Sequence, residues 1–401
     1  MNQNERRLLM KTTDRKGMNR RAFLKNGVAG TAAAMIATPA LAESLMQMAK
    51  SEPPEFPAPV YRTLGRTGLK ISTVSFGAML TPEPEVLRVA FDHGVNYVNT
   101  SRKYMGGKNE ITVGAAVKGI RDKVYIATKV LSESRTKADI IRDVETSLKT
   151  LGTDYIDVIQ VHDLTGVTSA LLAETKETLA LLKKQGKVRF CGVTTHLNEV
   201  AVLNYLADDP DQFFDTCLVK YNFTSDKRVG TAISRAAKAG IGIIAMKTQV
   251  GGYDIAGLGK ITQHQAALKW VLQNPDVTAA IPGMKDLTQL KEDIAVMGMS
   301  FTYADLRRLD RYAEAIAPFY CNFCGACEVG CPHGVEISTI NRSLMYAEGG
   351  YRDIHLARTT YNELPQQTMA SVCTGCQECT ARCVNGLDIA AKMDRARKVL
   401  S

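Results

Sequence analysis

The sequence predicts an α/β protein, in which a (β/α)8 TIM barrel precedes a C-terminal, mostly helical, cysteine-rich domain. Strand-like apolar runs alternate with helix-like segments from about residue 60 to 300, and eight of each can be counted. Such alternation implies parallel strands joined by crossover helices, which favours a closed barrel. An open doubly wound sheet is the alternative, but no G-x-G-x-x-G follows the first strand. Eight of the ten cysteines lie in the last 81 residues, which indicates a local function there.

The elements of the predicted barrel follow from composition and periodicity. A first strand is expected near Ile71 to Gly77, after two short extended pieces around Gly68. Thr136 is expected to cap the third helix and Gly152 to end it. The later strands are predicted at 95–100, 123–130, 155–163, 188–196, 214–222, 241–248 and 277–283. The helices are predicted at 84–93, 109–119, 136–151, 167–185, 198–207, 228–239, 262–273 and 287–297.

Polar residues stand where the second, third and fourth predicted strands end. Asn99, Lys129 and His162 occupy these positions, and Tyr104 follows shortly after the first of them. Because parallel strands deliver their final side chains to one rim, we expect these four side chains to form a catalytic site. A tyrosine, whose pKa is ordinarily near 10, needs a neighbouring cation to serve as an acid near neutral pH.

Three further polar residues close later strands of the predicted barrel. His196 and Lys247 end the fifth and seventh strands, and Asn222 ends the sixth. All three should face the same rim, where side chains of such barrels are often functional. The alternative is that each is a solvated loop residue. Cys191 and Cys217 lie within strands and are expected to be inert core thiols.

Charge is concentrated at the N-terminus. The chain carries a formal charge of +9, and the first 42 residues hold eight Lys/Arg against two Asp/Glu. The remainder is therefore only slightly basic and has no basic stripe with interleaved aromatics, so we expect no nucleic-acid partner. Residues 43–59 are rich in Pro and Glu and are predicted to be a linker.

The N-terminal segment has the three parts of an export signal. Asn19 to Lys25 contains paired arginines, and the uncharged run from Gly27 to Ala42 ends in A-x-A. The paired arginines resemble the twin-arginine type, which implies the twin-arginine translocase as a partner and a periplasmic location for the folded protein. Met18 is a candidate start. The alternatives are a transmembrane or a structural helix, but the uncharged run is shorter than the roughly 20 residues needed to span a membrane. We therefore expect no stable membrane span after cleavage, and a cytoplasmic location is the alternative.

The C-terminal cysteines form an internal repeat. CNFCGACEVGCPHGVEI starts at Cys321 and CTGCQECTARCVNGLDI starts at Cys373, and both contain C-x-x-C-x-x-C-x-x-x-C. Disulfides and zinc are alternatives in an exported protein. The spacing and Pro332 match the bacterial ferredoxin run, which favours two [4Fe-4S] clusters. By resemblance to two-cluster ferredoxins, the fourth cysteine of each run ligates the other cluster. This implies Cys321, Cys324, Cys327 and Cys383 for one cluster, and Cys331, Cys373, Cys376 and Cys379 for the second.

The region from about residue 60 to 297 resembles the aldo/keto reductases. The resemblance rests on YRTLGRTGLKIS, GVNYVNTSRKY with Glu110, VYIATKV, YIDVIQVHD, GKVRFCGVTTH, VKYN and AAIPG. The family carries an Asp, Tyr, Lys and His tetrad on a (β/α)8 barrel and transfers hydride from NADPH to a carbonyl. By motif, Tyr104 matches the proton donor, Lys129 the residue that lowers the tyrosine pKa, and His162 the substrate-orienting histidine. Bacterial members with ferredoxin-type tails are similar to the whole chain.

The sequence departs from the family at four places. Asn99 replaces the Asp of the tetrad, so Lys129 loses a carboxylate and either stays charged or releases its proton if buried. Leu218 replaces the glutamine that holds the nicotinamide amide. Gly283, Met284 and Gln289 stand where the family usually has the residues that bind the NADPH 2'-phosphate.

The resemblance, together with position at the barrel rim, implies which residues bind the cofactor and the substrate. For NADP(H) they imply Asn222, Lys247, Lys285 as a substitute phosphate ligand, and Glu292. His196 is assigned to the substrate.

Two functions from different classes remain open. The first is an exported oxidoreductase that acts on a small-molecule carbonyl or alcohol and is linked through the clusters to an external electron carrier. The second is an electron-transfer protein whose barrel is a non-catalytic docking or binding module. The predicted domains are the export signal (1–42), the linker (43–59), the barrel (60–300) and the two-cluster domain (301–401).

Overall fold

The computed structural model describes residues 56–401 except 132–135, 165–168, 256–261, 375 and 377. The predicted export signal and residues 43–55 of the predicted linker lie outside the described residues. Residues Phe56–Ser401 form one compact unit. Within the described residues, no helix is long and apolar enough to cross a membrane.

An antiparallel hairpin precedes the barrel and closes its N-terminal end. Its strands are β1 (Tyr61–Thr63) and β2 (Lys70–Ser72). Leu64 of the hairpin is fully buried and packs with interior residues such as Tyr97 and Leu218. A Cβ built on Gly242, at the start of a barrel strand, would lie 2.6 Å from Leu64, so this contact requires glycine.

The central sheet has eight strands, all parallel and in sequential order. The isolated bridges Val74 to Ala280 and Gly77 to Gly283 join its first and last strands, so the sheet curls back on itself as a barrel. This confirms the predicted parallel barrel over the open sheet. The strands are β3 (Phe76–Gly77), β4 (Tyr97–Asn99), β5 (Tyr125–Val130), β6 (Ile156–Val161), β7 (Val188–Thr195), β8 (Thr216–Lys220), β9 (Gly242–Met246) and β10 (Ala279–Ala280).

The barrel helices lie close to their predicted positions. Thr136 accepts a hydrogen bond from the Asp139 N–H, and Gly152 ends the same helix in the left-handed conformation, as predicted. The helices are α1 (Pro84–Asp92), α2 (Asn109–Val117), α3 (Lys137–Leu151), α4 (Ser169–Lys184), α5 (Glu199–Asp208), α6 (Lys227–Lys238), α7 (Gln263–Leu272) and α8 (Leu287–Ile294).

The two strands that close the barrel differ from their predicted bounds. The stretch expected to be one strand from Ile71 to Gly77 is divided between β2 and the two-residue β3. The division arises because Thr73 donates its backbone N–H to Val60 in the hairpin, whereas Ser75 donates to Ala280 in the barrel. The last strand is also shorter than predicted.

Four helices follow the barrel, and they enclose a second apolar core. They are α9 (Tyr303–Ile316), α10 (Ile337–Glu348), α11 (Ile354–Tyr361) and α12 (Ile389–Leu400). The helix α9 is attached to the barrel by a buried ion pair of 2.5 Å between Lys269 Nζ and Asp305 Oδ2. Lys220 Nζ also donates to the Asn322 carbonyl over 2.5 Å. The C-terminal segment thus packs directly on the carboxyl ends of the barrel strands.

Candidate active site between the barrel and the C-terminal helices

A cavity of 720 Å³ lies between the rim of the barrel and the C-terminal helices. This volume is within the usual range of about 300–1,000 Å³ for ligand sites. Tyr104 and His162 line it together with Lys285, while Arg342 and Tyr346 line it from α10. The site is therefore built from two parts of the chain that are far apart in sequence.

Lys129 is buried beneath this cavity and is held by uncharged groups. Its Nζ donates to Asn99 Oδ1 over 2.5 Å and to the Thr100 carbonyl over 2.7 Å. Asn99 Nδ2 in turn donates to Gln160 Oε1 over 2.8 Å. The strand register explains this arrangement, because Lys129 on β5 is paired with Gln160 on β6. Asn99 on β4 thus forms an uncharged link between Lys129 on β5 and Gln160 on β6.

Burial lowers the pKa of Lys129 to about 7, since removal from water disfavours the ammonium. Glu110 opposes this shift, and the charge of Lys247 adds to it. Of the two outcomes considered for a lysine beside Asn99, the structure therefore favours loss of the proton. Near neutral pH, Lys129 exists as a mixture of charged and neutral forms.

Tyr104 lies over Lys129, with its ring centroid 4.9 Å from Nζ. Burial raises the pKa of the Tyr104 hydroxyl well above its usual value. Tyr346 and Asp163 raise this pKa further, whereas Arg342 lowers it. Burial thus outweighs the opposing effect of Arg342 on the pKa of this hydroxyl.

The two histidines at the rim are both uncharged near pH 7. Burial lowers the pKa of His162 well below its usual range, and its buried Nδ1 has no hydrogen-bond partner among the described residues. Burial also lowers the pKa of His196 to about 4. His196 Nδ1 lies 2.8 Å from Asp163 Oδ1, so the neutral ring donates its N–H to the carboxylate.

Asp163 connects the barrel to α10. Its second oxygen accepts from Arg342 Nη1 over 3.1 Å. Burial opposes ionisation of this carboxyl, but His196 and Arg342 outweigh that effect and hold the pKa of Asp163 well below its usual range. Arg342, on a helix outside the barrel, is thereby fixed beside the rim residues.

Lys247 is held in a similar way by α10. Its Nζ donates to the Tyr346 hydroxyl over 2.6 Å and lies 4.5 Å from the centroid of the same ring. Asn222, predicted to bind cofactor, is outside the cavity lining that the described residues form. Its Nδ2 donates to the Lys247 carbonyl over 3.0 Å, so Asn222 supports the Lys247 backbone, which has a φ of 56°.

The residues predicted to hold a phosphate lie at another part of the same cavity. Lys285 Nζ donates to the Tyr351 carbonyl over 2.5 Å. Glu292 accepts from the Thr262 hydroxyl and lines the cavity. Leu218 lines the cavity as well and belongs to the apolar barrel interior.

A glycine contact holds the C-terminal segment against the loop after β9. A Cβ built on Gly350 would lie 1.8 Å from the Gly252 carbonyl oxygen. The Gly350 N–H also donates to the Gly251 carbonyl over 3.0 Å. Only glycine permits such a close approach of two backbones, and the contact forms part of the cavity wall.

None of the ten cysteines is joined to another by a disulfide in this structure. Cys191 and Cys217 are buried in the barrel core, and burial raises the pKa of each thiol, as expected for inert residues.

The eight C-terminal thiols approach one another in two groups. Burial raises the pKa of Cys321 to about 12, and Cys327, Cys324 and Cys383 raise it further. Burial also raises the pKa of Cys373, with Cys331, Cys376 and Cys379 adding to the shift. Each group thus combines three cysteines of one motif with the fourth cysteine of the other.

Backbone N–H groups point at two of these sulfurs. The Phe323 N–H lies 3.3 Å from Cys321 Sγ and the Asn385 N–H lies 3.4 Å from Cys383 Sγ. Within the described residues, however, no group of three or more His, Cys, Asp or Glu side chains is close enough to hold a single metal ion. A cluster of four irons spreads its thiolate ligands farther apart than one ion does, so the two findings are compatible with a cluster.

Four residues of the site were not predicted from the sequence. Gln160 and Asp163 lie near the carboxyl end of the fourth predicted strand. This position close to the rim was a signal that could have identified them. Arg342 and Tyr346 carry no such signal. Their contacts span 179 and 99 residues of sequence and depend on how α10 packs against the barrel.

The fold and this site define an α/β-barrel oxidoreductase. Residues 81–253 match the model of the Aldo/keto reductase family. The chain is 26% identical over 285 residues to L-galactose dehydrogenase of Arabidopsis thaliana, an alignment that covers 59% of this chain and 87% of that protein. It is 27% identical over 242 residues to Methylglyoxal reductase YeaE of Escherichia coli, covering 57% of this chain and 84% of that protein.

A solved structure is also similar to this chain. The aldo/keto reductase from Klebsiella pneumoniae in complex with NADPH is 26% identical and superimposes with a TM-score of 0.55, covering 63% of this chain and 95% of that one. Over residues 81–253, the barrel of this protein is therefore similar to the aldo/keto reductase family.

Proposed function

We propose that this protein is an exported oxidoreductase that transfers hydride between a nicotinamide nucleotide and a small carbonyl or alcohol. We further propose that it exchanges electrons with an external carrier through two [4Fe-4S] clusters. The observation that carries the proposal is the single cavity that joins Tyr104 and His162 to Lys285 and Glu292. Such a cavity accommodates a reacting carbonyl at one end and a phosphate group at the other.

The nucleotide, when bound, supplies or accepts the hydride. The Klebsiella pneumoniae relative was solved with NADPH, which supports NADP(H) as the nucleotide here. Within this chain, Lys285 supplies the charge for a phosphate once it releases the Tyr351 carbonyl. Leu218 provides an apolar surface at the position where the family has an amide side chain.

Tyr104 and His162 have different roles in the proposed reaction. Tyr104 donates a proton to the oxygen of a carbonyl that receives hydride, and the unpartnered Nδ1 of His162 is available to orient that oxygen. Because burial raises the pKa of Tyr104, proton donation depends on a cation beneath the ring. We propose that the active form carries charged Lys129, and that carbonyl reduction therefore declines as pH rises through about 7.

The cysteine groups supply the ligands of the proposed clusters. Cys321, Cys324, Cys327 and Cys383 would hold the first, and Cys331, Cys373, Cys376 and Cys379 the second. A hydride carries two electrons together, whereas each cluster transfers one at a time. Hydride transfer between the nucleotide and the carbonyl uses both electrons, so we propose that the clusters exchange electrons with the external carrier in separate one-electron steps.

The first cysteine group lies close to the cavity. Tyr253 lines the cavity and packs 4.8 Å, centroid to centroid, from Phe319 and 6.4 Å from Tyr320. Tyr320 directly precedes Cys321 in the chain. An aromatic layer thus lies between this cysteine group and the cavity.

The export part of the proposal rests on the N-terminal sequence. The paired Arg20 and Arg21, followed by an uncharged run that ends in A-x-A, support recognition by the twin-arginine translocase and a periplasmic location. Because that route carries folded proteins, the cofactors would be acquired before export. Replacement of both arginines by lysine is expected to retain the protein in the cytoplasm, as measured by fractionation. Unchanged distribution between the two compartments would favour a cytoplasmic enzyme.

A direct activity assay tests the hydride reaction. The anaerobically purified protein is mixed with NADPH and a panel of small aldehydes, ketones and oxo acids, and oxidation of the nicotinamide is followed by absorbance. We expect at least one carbonyl to be reduced faster at pH 6 than at pH 8. Absence of turnover across the panel, together with absence of NADPH binding, would rule out nicotinamide chemistry.

A second function is favoured by one specific contact. Lys285, the candidate phosphate ligand, is already bonded to the Tyr351 carbonyl of the C-terminal segment. This contact suits an electron-transfer protein whose barrel serves as a non-catalytic docking module. The two functions differ in one measurable property, since the electron-transfer protein would contain iron and sulfide but would bind no nucleotide.

A further inference from the structure

The roof of the cavity carries an arginine with unused hydrogen-bonding capacity. Arg342 lines the cavity from α10, and its side chain is 11% exposed. Nη1 donates to Asp163 over 3.1 Å, but the buried Nε has no hydrogen-bond partner among the described residues. A buried donor without an acceptor is destabilising, so this edge of the guanidinium is suited to an acceptor that arrives with a ligand.

The charges around Arg342 leave an excess of positive charge at this end of the cavity. Asp163 compensates Arg342, and His196 is neutral because burial lowers its pKa to about 4. Lys247 keeps its proton, since its pKa is raised despite burial, through the neighbouring Tyr346 and Tyr351. Within the described part of the chain, no carboxylate lies within ion-pair distance of Lys247, whose bonded partner is a phenol.

The two cations lie on the same side of the cavity as the reacting groups. Arg342 and Tyr346 are separated by four residues on α10, so one helical face brings both to the rim. Asp163 bonds to both Arg342 and His196, and Tyr346 bonds to Lys247, so these groups are near neighbours. Lys285, the candidate ligand for a cofactor phosphate, is bonded instead to Tyr351.

We propose that Arg342 and Lys247 bind the carboxylate of an anionic substrate, so that the protein acts on oxo acids or the corresponding hydroxy acids. The Nε edge of a guanidinium accepts a carboxylate through parallel hydrogen bonds, and Lys247 adds the compensating charge. The substrate carbonyl then lies beside Tyr104 and His162. The C-terminal segment thereby determines substrate specificity as well as holding the cysteines. This inference rests on the proposed function, whose site it assigns to one class of substrate.

Ligand binding to the full-length, anaerobically purified protein tests the assignment without requiring turnover. Pyruvate and phenylpyruvate are each compared with their own primary amide by isothermal titration calorimetry, and NADPH is titrated separately. We expect at least one acid to bind about tenfold or more tightly than its amide, because a charge-assisted bidentate contact replaces a neutral one. In Arg342→Gln this preference should disappear, while the affinity for NADPH should stay unchanged.

Two further variants separate a binding role from a structural one. Arg342→Lys retains the charge that faces Asp163 but lacks the planar fork, so we expect an intermediate preference for the acid and a normal melting temperature. Arg397→Gln removes a C-terminal arginine that is bonded to Asp394, and neither residue is among the described residues that line the cavity, so this variant should bind like the unchanged protein.

Three results would overturn the inference. These are equal binding of acid and amide by the unchanged protein, a preference that survives in Arg342→Gln, and a loss of NADPH affinity as large as the loss of acid affinity. The last result would assign Arg342 to a cofactor phosphate. A retained preference for acids in a protein that binds no NADPH would support the carboxylate site and contradict the proposed hydride reaction.

Discussion

The barrel rim and the cysteine segment hold their functional groups in different ways. Asn99 and Lys129 lie on strands whose register is fixed by parallel ladders, and Tyr104 and His162 follow such strands closely. The eight C-terminal cysteines lie between helices, in short turns and irregular chain. The rim residues are therefore positioned by the strand ladders, whereas the thiols lie on parts of the chain outside the sheet and the α-helices.

The two regions are in contact at the helix α10. Arg342 and Tyr346 bond to Asp163 and Lys247 of the barrel. The same helix starts six residues after Cys331. Cys331 and the cavity residues Arg342 and Tyr346 thus lie on one short stretch of chain.

The largest expected effect separates the chemistry of the two regions. Tyr104→Phe removes the proton donor, so we expect hydride transfer to fall by about 100- to 10,000-fold. Iron content and cluster absorbance should not change, because Tyr104 lies on the barrel side of the cavity. Steady-state kinetics and an iron assay on one preparation check both parts. Retained turnover would remove Tyr104 from the reaction.

Loss of a single thiol should disrupt the C-terminal region and spare the barrel. Cys327 is buried in the second apolar core, and Cys327→Ala is expected to remove about half of the iron, since each cluster holds four irons. The C-terminal helices should become sensitive to proteolysis while the barrel stays resistant. Cys217→Ala, in the barrel core, is the matched control and should leave iron content unchanged. Full iron content in Cys327→Ala would contradict the ligand assignment.

The Asn99→Asp substitution tests how the uncharged partner of Lys129 affects the pKa of that lysine. Asn99 Oδ1 lies 2.5 Å from Nζ, and a carboxylate at this position favours the charged lysine. An interaction of up to roughly 4 kcal/mol at an effective dielectric near 20 corresponds to a rise of about 1–3 pH units in the pKa. The decline of carbonyl reduction, expected near pH 7, should move upward by that amount in a pH–rate profile. An unchanged profile would show that Asn99 has only a structural role.

The smallest effect concerns stability. The pKa of Lys129 is about 7 in the folded protein, below its usual 10.5. Between these values the unfolded chain binds a proton that the folded protein does not, so stability rises with pH across this window, by about 1 kcal/mol per pH unit. In Lys129→Met this slope should be lost, as measured by denaturant unfolding at pH 7 to 9. The exposed Lys238→Met is the control, and an identical slope in both variants would refute the assignment.

The sequence was sufficient for the barrel and for the residues that strands deliver. Periodicity placed the helices, and the polar endings of the strands brought Asn99, Lys129 and His162 to one rim, because parallel order determines which ends meet. The sequence was insufficient for protonation states and contacts that depend on packing between distant parts of the chain. Neither the neutral state favoured for Lys129 nor the contact of Arg342 with Asp163 can be derived from local pattern, since both depend on burial beneath α10.

The roles of the cysteines and of the export signal are still predictions from sequence. The crossed grouping of the thiols agrees with the spacing of the two motifs, but cluster content is a matter for chemical measurement.

One measurement tests the central claim that a hydride site and two clusters share this chain. The protein is purified anaerobically from periplasm and cytoplasm, iron and sulfide are assayed, and any nucleotide released on denaturation is identified. The account predicts about eight irons and eight sulfides per chain, together with bound NADP(H). A colourless protein without iron would contradict the cluster assignment, and iron without nucleotide or affinity for NADPH would contradict the hydride site.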